Sequence, residues 1–246
     1  MKAGTRRAAV TGSLGAACLG TLLALHSVMG APPAGTGDGE GTGCRVVADF
    51  GRDQVGEFPA DWKPRDDTAR GVYRVHEESG LRFVRALAEG TGSQMGREFA
   101  WDLKAHPVLA WRWRPRVFPA GSDERQPDKN DSALGVYAVF PHSIMTVKTI
   151  KYVWSRDVPV GTTASASGGL TRMIVRRSGP APDGRWVAET VDVAADYRRL
   201  FGEAPDTPRG IAVLTDADQT GSRAEEDYAD FRVCQGAAGR TTGARR

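Results

Sequence analysis

Residues 108–118 read VLAWRWRPRVF, and this stretch decides the fold class. Leu109, Trp111 and Trp113 alternate with Arg112, Arg114 and Arg116. A period of two is the period of a β-strand, whose successive side chains point to opposite faces. One face is then aromatic and the other cationic, as in a strand with one side on a core and the other towards water.

Working outward, short segments of the same kind recur between turn residues. The candidate strands are Arg45–Phe50, Val72–His76, Leu81–Ala88, Arg97–Leu103, Val108–Phe118, Ala133–Phe140, Val147–Trp154, Leu170–Arg176, Trp186–Val193, Ile211–Thr215 and Tyr228–Cys234. Many short strands at this spacing predict an all-β, antiparallel β-sandwich. One short helix is expected at Tyr197–Phe201, capped by Asp192 or Asp196 and stopped by Gly202.

The ends of the chain differ from its middle. Lys2, Arg6 and Arg7 precede an apolar run from Ala8 to Leu25, the order of a secretory signal, with cleavage expected after Gly30. A lipoprotein signal at Cys18, a twin-arginine signal and an uncleaved anchor are weighed and disfavoured. Residues 31–43 are Pro/Gly-rich and read as a linker, and 235–246 read as a tail. The domain is therefore expected over 44–234, in a periplasmic or secreted bacterial protein with no membrane span once the signal is removed.

The formal charge of +3 comes from the first 30 residues. What remains balances basic against acidic residues, so no basic footprint points to nucleic acid. Without Cys18 two cysteines remain, Cys44 in the first strand-like segment and Cys234 in the last. An even count in an oxidising compartment points to a disulfide between them.

Motifs of catalysis are missing. Gly90–Gly96 spaces its glycines wrongly for a dinucleotide loop and reads as a turn between strands. No nucleophile elbow, phosphate-binding loop or zinc spacing is present, and His76, His106 and His142 are isolated. Carboxylates are plentiful, but abundance alone does not make a catalytic pair.

Three features remain as candidate sites. Residues 121–132, GSDERQPDKNDS, form a long charged loop of the kind that carries binding groups on rigid scaffolds. Asp131 ends this loop and Trp154 ends an aromatic strand, and these two are the expected ligand-binding residues. The aromatics Trp111, Trp113, Tyr152 and Trp154 would stack sugar rings if exposed. Asp216 and Asp218 alternate before Gly221, and with Asp230 they are the expected metal ligands. Calcium is the one cofactor this pattern suggests, against the alternative of a polar turn held by aspartate side chains.

Five segments together resemble a known bacterial family: LAWRWRPRVFPAGSDERQPDKNDSALGVYAVF, KTIKYVWS, DYRRLFGEAP, GIAVLTDADQTGS and YADFRV. They are similar to the domain of unknown function 3047, over roughly residues 45–234. The resemblance implies an exported jelly-roll-type sandwich with no established activity, so it lends no catalytic residue. The family's recurring features would fall on Trp111, Trp113, Asp131, Lys151, Tyr152, Trp154, Phe201, Gly202, Asp216, Asp218 and Asp230. The expectation is a non-catalytic binding module for carbohydrate or another envelope component. The alternative is a polysaccharide-acting enzyme using two carboxylates in the sandwich groove.

Overall fold

A computed structural model describes residues 43–236. The expected signal, most of the linker and the end of the tail lie outside the described residues. In chain order the strands are β1 Cys44–Ala48, β2 Lys63–Pro64, β3 Tyr73–Glu78, β4 Leu81–Glu89, β5 Gly92–Glu98, β6 Val108–Val117 and β7 Leu134–Pro141. They continue with β8 Val147–Ser155, β9 Thr163–Ala166, β10 Thr171–Ser178, β11 Val187–Asp192, β12 Gly210–Asp216 and β13 Arg223–Cys234. A one-turn helix α1, Ala69–Val72, and a longer α2, Val193–Phe201, complete the set.

The strands form two sheets. One has the order β11-β6-β13-β4-β3, with β1 also paired to β13; the other runs β2-β5-β12-β7-β8-β10-β9. The fold is the jelly-roll-type β-sandwich expected. Its pairings are antiparallel except β8 with β10, which run parallel. Among the described residues no helix is long and apolar enough to cross a membrane.

The alternation in β6 holds. Leu109, Trp111 and Trp113 are buried between the sheets. Trp111 meets Tyr152 and Trp113 meets Trp154 of the facing sheet, with ring centroids 5.8 and 5.5 Å apart. Arg112, Arg114 and Arg116 project from the other face into acids, where Asp227 accepts from both Arg85 and Arg114. Pro115 is tolerated within β6 because the pairing with β11 ends at Trp113, and beyond it no partner on that side requires a donor.

Helix α2 starts earlier than the sequence suggests. Asp192 is its cap, accepting from the Ala195 N–H at 2.8 Å, and Gly202 ends it with φ +73°. Cys44 and Cys234 are direct partners in the β1–β13 ladder and are joined by a disulfide. The bond therefore ties the first strand to the last.

One strand lies where the sequence suggests a turn. Gly92–Glu98 is β5, and the expected strand Arg97–Leu103 is only its end. The composition GSQMGRE hides it, because only Met95 reaches the core and the outer positions are glycines and polar groups.

Candidate functional site

The outer face of the seven-stranded sheet collects the unassigned chemistry. Ladder registers place Gly96, Ala212, Tyr137 and Lys151 in one row across β5, β12, β7 and β8. The next row holds Gln94, Leu214 and Gly135, and Gly92 lies opposite Asp216 beyond it. A groove runs over the small residues Gly96, Gly210 and Ala212, walled by Val139, Val147 and the arginines Arg97 and Arg209. Gln94 lines its inner end.

Glycines make room for two charged side chains on this face. A methyl group at Gly92 would stand 1.9 Å from Asp216 Oδ1, and one at Gly135 would stand 2.9 Å from Lys151 Cε. Lys151 crosses the sheet over Gly135 and donates to Ser132 Oγ at 2.9 Å. Its burial pushes its pKa down, while the charges of Asp216, Glu124 and Asp131 hold it up.

Asp216 is pushed up to about 7, first by burial and then by the neighbouring charge of Asp218, with Lys151 opposing both. The carboxylates of Asp131, Asp216 and Asp218 approach within 4.8 Å of one another. Asp131 is already engaged: its oxygens accept the backbone N–H groups of Gln219 and Thr220 at 3.1 and 2.8 Å and the Thr220 hydroxyl at 2.5 Å. A carboxylate that holds two successive backbone N–H groups fixes a turn. The hard-cation geometry expected from the sequence is thus partly taken up by the protein's own donors and by Lys151.

Each expected site residue can now be placed. Asp216 and Asp218 come together, as their spacing suggested. Asp230 does not join them. It sits in a bulge of β13 with φ +52° and pairs with Arg112 on the other sheet. Asp131 takes its place beside the pair.

The ligand roles expected for Asp131 and Trp154 are corrected by burial. Trp154 is 2% exposed, packed on Trp113, and donates its indole N–H to the Gly179 carbonyl at 2.7 Å. Asp131 has no exposed surface. Trp111, Trp113 and Tyr152 are likewise core and offer no stacking platform. The charged loop itself is pinned down, because Glu124 is buried and accepts from Ser155 Oγ at 2.6 Å.

Sequence reasoning missed Gln94 and Tyr137. Both are only 7% exposed, yet neither the Gln94 amide nor the Tyr137 hydroxyl has a hydrogen-bond partner among the described residues. Their polar atoms still reach solvent, so both groups stand open to water or to a ligand on one face. Burial and the charge of Asp216 raise the Tyr137 pKa, which keeps its hydroxyl a donor. The only hint in the sequence was a run of glycines within strand-like segments.

Comparison with known proteins agrees with the fold. Residues 60–232 match the family described as "Protein of unknown function (DUF3047)". No curated protein matches the chain. Among solved structures, the family 11 carbohydrate-binding module of a Clostridium thermocellum cellulosomal cellulase is 9% identical, covering 80% of this chain and 96% of its own, with a TM-score of 0.43. A family 30 module from a C. thermocellum cellulosomal cellulase is 11% identical, with 78% and 93% covered and a TM-score of 0.38. The xyloglucanase domain of NopAA from Sinorhizobium fredii, in complex with cellobiose, is 13% identical, with 74% and 98% covered and a TM-score of 0.41. Likeness this distant carries nothing about a ligand.

Proposed function

The chain belongs to the DUF3047 family of proteins of unknown function, and from that premise we propose that the outer face of its seven-stranded sheet is a non-catalytic binding surface for carbohydrate or another envelope component. The observation that carries this reading is a pair of solvent-reaching polar groups without protein partners, the Gln94 amide and the Tyr137 hydroxyl, on nearly buried side chains beside an open groove. An amide and a phenol fixed on a rigid sheet can exchange hydrogen bonds with a hydroxyl-rich chain at little entropic cost. The groove is open, mainly apolar in its lining, and carries Lys63, Glu98 and Arg209 among its residues, which suits an extended chain that packs ring faces and bonds at its edges.

The Cys44–Cys234 bond supports residence outside the cytoplasm, because such bonds persist in oxidising compartments. Together with the signal-like first 30 residues, it makes a periplasmic or secreted protein the favoured reading.

A second reading has one observation in its favour. Asp216 sits near pKa 7 beside the Asp218 carboxylate, and paired carboxylates about 5 Å apart, one of them protonated, can perform glycoside hydrolysis. A glycan screen on residues 31–246 separates the two. Binding weakened by Gln94→Ala and Tyr137→Phe, with no new reducing ends over days, supports the binding surface. Depolymerisation that is lost in Asp216→Asn would replace it with the enzyme.

A further inference from the structure

The proposed binding face separates its charges: cations gather around the groove, where Glu98 is the one acid of the lining, and Asp216 and Asp218 lie at the far end. Outside the first 30 residues the chain carries as many acidic as basic residues, so any local excess is a matter of placement. Placement on this face is distinctive. Lys63 and Arg65 alternate along the edge from β2 onward, with the Arg65 N–H bonded to the Gln94 carbonyl. Arg97 and Arg209 flank the groove floor.

Two of these four cations are spent inside the protein. Lys63 pairs with Glu98 at 2.6 Å and Arg97 with Asp61 at 2.9 Å. The other two are not. Neither the Arg65 nor the Arg209 guanidinium has an ion-pair or hydrogen-bond partner among the described residues, although their backbones are fixed by Gln94 and Val139. Elsewhere on the surface, arginines are commonly engaged: Arg112, Arg114, Arg116, Arg176 and Arg177 all hold carboxylates. Arg45, Arg52, Arg70 and Arg198 also hold no carboxylate, but none of them lines the groove or sits beside Gln94, where an incoming anion would engage two free forks together.

We infer that the ligand of this face is an anionic oligosaccharide, whose oxyanions are held by Arg65 and Arg209 while its hydroxyls meet Gln94 and Tyr137. The inference rests on the binding-surface reading and adds the ligand's charge. A guanidinium donates two parallel N–H bonds to a carboxylate or a phosphate, geometry that a neutral glycan cannot return. Between Gly210 and Asp216 the strand rises about 20 Å, so one chain can span the groove and the Gln94 end together. At that far end Lys151, not an arginine, faces Asp216 and is already committed to Ser132. The anionic groups therefore belong at the Arg209 and Arg65 positions, with hydroxyls towards Asp216.

The test is calorimetric titration of residues 31–246 with three probes: oligogalacturonate for a carboxylate, a sugar-phosphate oligomer for a phosphate, and cellotetraose for a neutral chain. Because neither guanidinium is used by the fold, Arg65→Gln and Arg209→Gln should melt like the parent. Each should weaken oligogalacturonate binding at least tenfold, and Arg→Lys should recover only part of it. Added salt should weaken binding further. Tighter binding of the phosphate probe, with the same dependence on both arginines, would confirm the oxyanion and assign it to phosphate. Equal binding of cellotetraose, unaffected by either arginine but weakened by Gln94→Ala, would overturn the anionic ligand and leave the binding surface standing. Absence of binding by all three would overturn the anionic ligand, and a further blank screen of neutral glycans would overturn the surface as well.

Discussion

Gly92 and Asp216 are ladder partners, and the absence of a side chain on one is what gives the other its position. A methyl group on Gly92 would overlap Asp216 Oδ1 at 1.9 Å, a separation that atoms do not tolerate. Gly92→Ala should therefore displace Asp216 from its place beside Lys151 and cost about 1–3 kcal/mol, the range for overpacking. Adding Asp216→Ala should recover most of the loss. A double-variant cycle by urea unfolding that shows additive losses would contradict the direct contact.

Asp216 also makes stability depend on pH. Its pKa is raised from 3.8 to about 7 in the fold, by burial first and by Asp218 second. A carboxyl raised in the folded state binds its proton more tightly there than when unfolded, so its contribution falls as pH rises from about 4 to about 7. Asp216→Asn removes that slope. The difference in unfolding free energy between variant and parent should grow in favour of the variant across this window, by at most about 4 kcal/mol, and stay flat above it. A difference independent of pH would show that Asp216 is not held protonated.

Calcium should leave the melting temperature unchanged. Lys151 and the Asp216 proton already offset two of the three carboxylates, and both Asp131 oxygens are committed to the loop at Gln219 and Thr220. Melting in chelator and in millimolar calcium should coincide, since an ion that bound only the folded state would raise stability by mass action. A calcium-dependent rise abolished by Asp218→Ala would instead give these aspartates the metal-binding role their spacing first suggested.

The disulfide should matter more to stability than to binding. Cys44 and Cys234 are 190 residues apart, and closing so long a loop stabilises by at most about 5 kcal/mol in the chain-entropy account. The double variant Cys44→Ser/Cys234→Ser should lower the urea midpoint while leaving glycan affinity intact, because the bond lies on the six-stranded sheet. Loss of affinity in a variant that remains folded would argue against a binding face on the other sheet.

The sandwich was legible in the sequence wherever one face of a strand met water. The β6 alternation of tryptophan and arginine is such a case, and β4 is another. Legibility failed in β8, where Lys151–Ser155 is buried on both faces. The loops at 121–132 and 156–162 cover its outer side, with Glu124 bonded to Ser155 and Val158 packed near Val153. Period two then no longer distinguishes core from surface, and Trp154 reads as exposed when it is not. In β5 Gly92 is small because of what crosses above it, a constraint set by Asp216 more than a hundred positions away. Gln94 and Tyr137 carried no local signal at all. Their interest lies in the partners they lack, which only the assembled sheet reveals.

Backbone amide shifts of the isotopically labelled domain, followed during titration with hexagalacturonate, test the central claim most directly. The account predicts perturbations concentrated at 92–98, 135–139 and 209–216, with the Gln94 side-chain amide shifting among the earliest, and the same map lost in Gln94→Ala/Tyr137→Phe. Perturbations confined to the arginine–carboxylate face around Arg114 and Asp227 would contradict it.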